Sequence, residues 1–454
     1  MAEYIKVPAG VYDMVTRCME QEFPDHVAIR YVAEDGKTVV EKKYREYAQD
    51  IRRMEAYLKA EVPDIKGRRI VLLSRNCYEF CVASFGIILA GGVLVTLNQK
   101  KTWEELEYEL GLVEPVLILN DGIDYGCRAE LEAAYGPKLR PMDCYKETAP
   151  GELTNCVGHD DLMMLMFTSG TTGRSKGVML SQKNLFSAMP AFLNPFDDVK
   201  KYTGWNTDEF SSLSALPMFH ISAMTSLVSW SITGHSINLC NNLKYFYRDL
   251  GAMHSEVMAV VPVLLKSIYS DVMKGRRDRL NGLCVLTCGA AMFDPKILSD
   301  MMEKGFFVAQ MYGLTETCGD GAWNSSQEAK YLTSVGHVDL SCEYKLDDGE
   351  LCMRGDPIML GYYKDPEGTA EVIDADGWFH TGDIARVEED GYMYLTGRKK
   401  NVIILDSGEN VSPEELEKLL APCADIQECI VKEKDKKICA LIYCDPCLLY
   451  TSDA

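Results

Sequence analysis

Residues 80–97 (FCVASFGIILAGGVLVTL) form the longest apolar run of the chain. Its length borders on that of a membrane span, which needs about 20 apolar residues. Gly91-Gly92 interrupts it, however, and the two halves carry different signals. Residues 79–90 suit a buried helix, and residues 93–97 suit a short buried strand. A helix–turn–strand unit with no polar face must be covered by other layers. That requirement favours a largely parallel sheet flanked by helices.

The alternation continues on both sides. Residues 44–58 are amphipathic, and residues 69–73 (RIVLL) and 115–119 (PVLIL) read as strands. Residues 161–330 repeat the pattern: an apolar strand at 161–167, a helix near Asn184, then strands at 283–287 and 306–309. From about 334 to 395 the strands shorten and the turns Asp348-Gly349, Asp376-Gly377 and Asp390-Gly391 crowd in, the pattern of a small β subdomain. The fold class expected is α/β. A large N-terminal domain covers residues 1–396, with α/β subdomains at about 1–160 and 161–333 and a β subdomain at 334–396. A cationic junction follows at 397–400, and residues 401–454 begin a partial α+β domain. There the signals are a strand at 402–405, a Ser407-Gly408 turn, and a helix with Ser412 as N-cap, Pro413 at N1 and Glu415 closing a capping box.

At 454 residues and 47% hydrophobic content, the chain can build a substantial core. Its formal charge of −21 argues against general binding of nucleic acid or anionic membranes. Seventeen scattered cysteines, most within apolar runs, read as buried reduced thiols of a cytoplasmic protein. Cys444 and Cys447 form a lone C-x-x-C with no second pair, which argues against a zinc site. Residues 1–10 lack the apolar core of a signal peptide, and no transmembrane segment is expected. Sequence says nothing of oligomeric state.

The run Thr168-Ser169-Gly170-Thr171-Thr172-Gly173-Arg174-Ser175-Lys176-Gly177 concentrates small hydroxyl-bearing and glycine residues before one lysine. Backbone N–H groups, hydroxyls and a point charge are what a polyphosphate binds. The spacing is not that of a Walker A loop, and this loop joins strand to strand, with a helix only after the N-cap Ser181. Such composition is usually a flexible linker. The apolar strand before it and the single lysine within it argue against that reading.

In this loop the chain resembles the adenylate-forming superfamily of acyl-CoA ligases, adenylation domains and luciferases. Further motifs follow in the family's order: Leu216-Pro217-Met218-Phe219-His220, Tyr312-Gly313-Leu314-Thr315-Glu316, Gly349-Glu350-Leu351 with Arg354-Gly355, Trp378-Phe379-His380-Thr381-Gly382-Asp383, and Gly397-Arg398-Lys399-Lys400. The resemblance implies activation of a carboxylic acid by ATP to an acyl-adenylate, then transfer to CoA. It implies Mg²⁺ at Thr168 and Glu316, whose hard oxygens suit that ion. Ser169, Gly170, Thr171, Thr172, Gly173 and Lys176 would cradle the β- and γ-phosphates. Tyr312 would stack on adenine, with Gly289, Gln310, Gly313 and Thr315 beside the nucleotide. Asp383 and Arg398 would hold the ribose, and His220 would guide the acyl carboxylate. Lys400 takes the hinge position. Taken alone, Tyr312 would read as a core aromatic, Asp383 as a turn residue and Lys399 as a solvated cation.

The wording of residues 397–417 resembles the long-chain fatty acid–CoA ligase branch most, and residues 258–269 are expected to line the acyl pocket. An aryl-acid–CoA ligase shares every motif. So does a catalytically impaired nucleotide- and acyl-binding homologue. The last class enters because residues 401–454 are shorter than the resemblance implies and contain no Pro/Gly/Lys segment bearing a catalytic lysine. The expected partners are the acid, ATP and CoA, with no nucleic acid. Peripheral membrane contact stays open, since a fatty substrate would come from there.

Overall fold

The run at 80–97 folds as its pattern predicts, into helix Tyr78–Leu89, a turn with Gly91 at φ 90°, and strand Val93–Thr96. Every residue of that helix except Glu79 is buried. The computed structural model describes residues 6–169, 174–193, 195–204, 210–289, 293–338, 341–404, 410–420, 426–434 and 437–444. The elements that position the site are β1 (Val93–Thr96), α1 (Trp103–Val113), β2 (Leu162–Ser169), β3 (Ser175–Ser181), α2 (Ile221–Thr233) and β4 (Phe307–Gly313).

A large mixed α/β part is built on two sheets. The seven-stranded sheet runs Gly361–Tyr362, β3, β2, β1, Arg69–Leu73, Leu117–Asn120, Leu139–Pro141. Its strands from β2 to Leu139–Pro141 are parallel, while β3 lies antiparallel on β2. The nine-stranded sheet runs His337–Val338, Gly321–Asn324, β4, Val285–Cys288, Val257–Val260, Ser211–Ser214, Ser236–Leu239, Val27–Val32, Val39–Lys43. One core joins the inner faces of both: Ile70, Leu72 and Met164 from the first, Ile29, Ile237 and Ala309 from the second. The alternate residues Val71, Val95 and Leu165 pack outward under α1, and Leu213, Met258 and Leu286 fill the outer core of the second sheet. Both faces of each sheet are thus covered, as apolar strands demand.

Sheet membership interleaves across residue 160. β2 and β3 close the first sheet, while Val27–Val32 and Val39–Lys43 complete the second. Alternation reports the type of layer and carries no signal for which sheet a strand joins. The strand expected at 306–309 extends to Gly313 because Gly321–Asn324 pairs with its polar end, Gln310 opposite Asn324.

A smaller β-rich part follows. Cys342–Asp347, Glu350–Gly355, Phe379–Val387 and Met393–Arg398 form an antiparallel sheet. Beyond it lie the helix Pro413–Leu420 and the hairpin Ile426–Lys434 with Lys437–Cys444. Pro413 opens that helix as predicted. The Ser412 hydroxyl donates to the Thr396 carbonyl at 2.7 Å. Leu405, Ser407, Gly408, Cys447 and the Glu415 side chain lie outside the described residues. The cysteines described with their side chains are free thiols, and burial pushes Cys18 and Cys240 up to about 12. Among the described residues no helix is long and apolar enough to cross a membrane.

Candidate active site

β2 and β3 form the two arms of the predicted strand–loop–strand, with Thr168 opposite Lys176 and Ser169 opposite Ser175. Gly170, Thr171, Thr172 and Gly173 lie outside the described residues. Lys176 extends from β3 over Tyr362, its Nζ 4.5 Å from the ring centroid and 3.6 Å from Asp365. The Tyr362 phenol donates to Glu316 Oε1 at 3.0 Å. Burial first, and Glu316 second, push that phenol far above its ordinary value, so it remains a donor at neutral pH. One ring therefore links Lys176 with Glu316, which comes from the turn Thr315–Thr317 after β4. Sequence reasoning passed over Tyr362, whose two-residue strand carries no periodic signal.

The turn that presents Thr315 and Glu316 depends on Gly313. A Cβ there would fall 2.1 Å from the Gly319 carbonyl oxygen, and the Gly319 N–H donates to the Leu314 carbonyl at 2.7 Å. Only glycine permits that approach.

A second cluster joins β4 to the smaller sheet. The Tyr312 phenol donates to Asp383 Oδ2 at 2.6 Å, and Arg398 Nε sits 2.6 Å from Asp383 Oδ1. Asp383 and Arg398 face each other across adjacent strands. Burial raises the Asp383 pKa despite the opposing pull of Tyr312 and Arg398. Tyr312 is pushed well above its ordinary value by burial, then by Asp383.

Gln310 spends its amide on the carbonyls of Leu332 and Ser334, at 2.8 and 3.1 Å. Gly289 ends the Val285–Cys288 strand near the Met311 carbonyl. His220 is the N-cap of α2; its surface is exposed while its ring lies partly desolvated among neighbouring groups, which, followed by Lys101, lowers its pKa. Asn76 fixes the preceding segment, donating to the Leu216 carbonyl and accepting from the Met218 N–H, each at 2.9 Å. Lys400 is exposed in the turn Lys399–Asn401.

Lys399 is exposed, in line with its sequence reading, and it also pairs with a carboxylate. Its ammonium lies 2.7 Å from Glu350, which also accepts from His380 Nδ1 at 3.1 Å and the Gly382 N–H at 3.0 Å. Burial works against this charge, but the three donors outweigh it and hold Glu350 below its ordinary value. Glu350 thus ties the Thr381-Gly382-Asp383 segment of the Phe379–Val387 strand to the junction, a role its Gly-Glu-Leu context did not announce.

Between α2 and the nine-stranded sheet lies a cavity lined by Ser212, Ser214, Met218, Leu227, Trp230 and Ala259, among others, with no charged side chain in its lining. Of residues 258–269, Ala259 lines it. Met258 and Val260 alternate to the outer core, where Leu264, Leu265 and Ile268 join them.

The arrangement is that of an enzyme which binds an adenine nucleotide, and the model of the AMP-binding enzyme family matches residues 17–363; the chain belongs to that family. It is 27% identical over 470 aligned residues to a long-chain-fatty-acid–CoA ligase of Salmonella typhimurium, covering 90% of this chain and 81% of the relative. It is 26% identical over 376 residues to a 2-succinylbenzoate–CoA ligase of Bacillus cytotoxicus, covering 78% and 73%. Among solved structures, o-succinylbenzoate CoA synthetase of Bacillus subtilis, in complex with ATP and magnesium ion, superposes with a TM-score of 0.77. It is 26% identical, covering 95% of this chain and 89% of that one.

Proposed function

We propose that this enzyme activates a monocarboxylic acid, a medium- or long-chain fatty acid, with ATP and transfers the acyl group to CoA. The observation that carries the reading is the stack of Lys176, Tyr362 and Glu316 at the loop end of β2 and β3. A carboxylate oxygen attacks the α-phosphorus, the P–O bond to pyrophosphate breaks, and acyl-adenylate remains. Two anions must meet, so charge neutralisation dominates the barrier. Lys176 supplies one fixed cation, and the loop from Ser169 through Gly173 supplies backbone N–H groups. Glu316 and Thr168 offer hard oxygens that fit Mg²⁺, which when bound neutralises phosphate charge. Asp383 and Arg398 hold the ribose, and Tyr312, anchored by Asp383, takes the adenine. Gly289, Gln310, Gly313 and Thr315 shape the nucleotide's surroundings. The CoA thiol then attacks the acyl carbonyl and AMP leaves, its positioning aided by rotation at Lys400 of residues 401–454 against the rest.

His220, at the head of α2, guides the acid's carboxylate. Buried free thiols suit a reducing compartment such as the cytoplasm.

The test is acid-dependent pyrophosphate release from ATP and Mg²⁺ across short, medium, long-chain and aryl acids, with and without CoA. Release that peaks with a fatty acid and rises with CoA is expected. Release with 2-succinylbenzoate alone would overturn the substrate class, and no release with any acid would overturn the activity.

A further inference from the structure

A lysine outside every motif reaches the phosphate loop. β1 and β2 are parallel neighbours, so the turn after β1 lies beside the loop end of β2. Lys101 in that turn donates to Ser175 Oγ at 2.9 Å, at the start of β3 and next to Lys176. The same ammonium bonds Glu109 on α1. Glu109 is fully buried, and its Oε2 has no hydrogen-bond partner among the described residues. On the same helix Tyr108 lies 5.5 Å from the Arg174 guanidinium. α1 therefore holds the exit arm of the loop at two consecutive residues, Arg174 and Ser175.

Stability does not account for the pair. Leu106, Leu110 and Val113 are the other buried residues of α1, so Glu109 is the one charge on an apolar face. Apolar residues of similar volume usually serve a fold as well as a buried ion pair, or better. What an apolar pair could not do is fix the Ser175 hydroxyl. Ser175 and Lys176 alternate on β3, so Lys101 grips the hairpin from the α1 side while Lys176 works over Tyr362 on the other.

We propose that Lys101, held by Glu109, is a positioning residue that fixes the Ser175 arm of the phosphate loop for binding the β- and γ-phosphates of ATP and the departing pyrophosphate. This rests on the function proposed above. Its test is separable, because direct binding of Mg-ATP and of pyrophosphate by titration calorimetry needs no turnover. Lys101→Met and Ser175→Ala should each weaken both ligands about ten- to a hundredfold, the scale of one charge-assisted hydrogen bond. The two together should be no worse than either alone, and Lys101→Arg should restore most of the affinity. Because Lys101→Met strands a buried carboxylate, Lys101→Met with Glu109→Leu is the folding control; it should match the wild-type Tm and still bind pyrophosphate weakly. Wild-type affinity in that control, additive losses in the pair, or a change confined to CoA affinity would each overturn the proposal. Failure of the wild type to release pyrophosphate with any acid would instead count against the function.

Discussion

Replacing Tyr312 with Phe keeps the ring proposed to meet adenine and removes one oxygen. That oxygen donates to Asp383 at 2.6 Å, inside a site where Asp383 is 5% exposed. Burial already raises the Asp383 pKa, opposed by Tyr312 and Arg398. Deleting the phenol removes one of those two opposing groups. A hydrogen bond to a charged group contributes about 1.5–3 kcal/mol, and each 1.36 kcal/mol is one pKa unit, so Asp383 should rise by about one to two units. The sign follows directly: more of the variant carries a proton on Asp383 at any acid pH, and a protonated carboxyl is a poor double acceptor for ribose. The acidic limb of kcat/KM for ATP, measured by ATP–pyrophosphate exchange, should move toward neutral pH by that amount while the basic limb stays in place. Stability should follow the same logic. The contribution of a carboxyl with a raised pKa is present below its unfolded value and lost as pH rises through the folded one. The variant's deficit in urea unfolding should therefore be largest near neutral pH and shrink in acid. An unmoved acidic limb would refute the claim that Tyr312 supports the charged form of Asp383.

Two further substitutions probe the frame around the site. Glu350→Gln removes a carboxylate held below its ordinary 4.5, which lends stability above that value and loses it as pH falls through the folded one. The variant should lose about 1–3 kcal/mol at neutral pH, and its stability should fall less steeply with acid; denaturant midpoints across pH measure both. Gly313→Ala places a methyl 2.1 Å from the Gly319 carbonyl, so it should cost about 1–3 kcal/mol in Tm-derived stability and lower exchange activity by displacing Glu316. Wild-type Tm and rate would show that the turn relaxes freely.

The layers of this fold were legible wherever burial wrote a long signal. Residues 80–97 could only be a covered helix and strand, and the 161–181 hairpin could be read because apolar arms flank a polar loop. Strand order was not legible, because neither Val27–Val32 nor β2 bears any mark of which sheet it joins. Of the motif residues, Tyr312, Asp383 and Arg398 lie together. Tyr362, Lys101 and Glu350 were missed for a common reason. Each acts through a partner distant in sequence, Glu316, Ser175 and Lys399 respectively, and a single sequence does not encode such pairings.

The same pairings bear on where the proposed rotation begins. Asp383 and Arg398 are opposite each other in paired strands, and both are tied to β4 through Tyr312. Turning the chain at or before Arg398 would pull its guanidinium off Asp383, whose buried bond to Tyr312 contributes about 1.5–3 kcal/mol while the half-exposed Arg398 pair contributes less. Lys399 is different. Its side chain is 60% exposed, and Glu350 keeps the Gly382 N–H and His380 when the ammonium leaves. An ion pair with one partner so solvated contributes about 0–1 kcal/mol, which is less than a tenfold bias. A rotation centred on Lys400 would therefore release Lys399 at little cost and leave the proposed ribose cradle whole. The proposed boundary between fixed and moving parts falls between Arg398 and Lys399, because Arg398 pairs with the carboxylate that the buried Tyr312 phenol anchors, whereas Lys399 pairs with one that keeps two other donors.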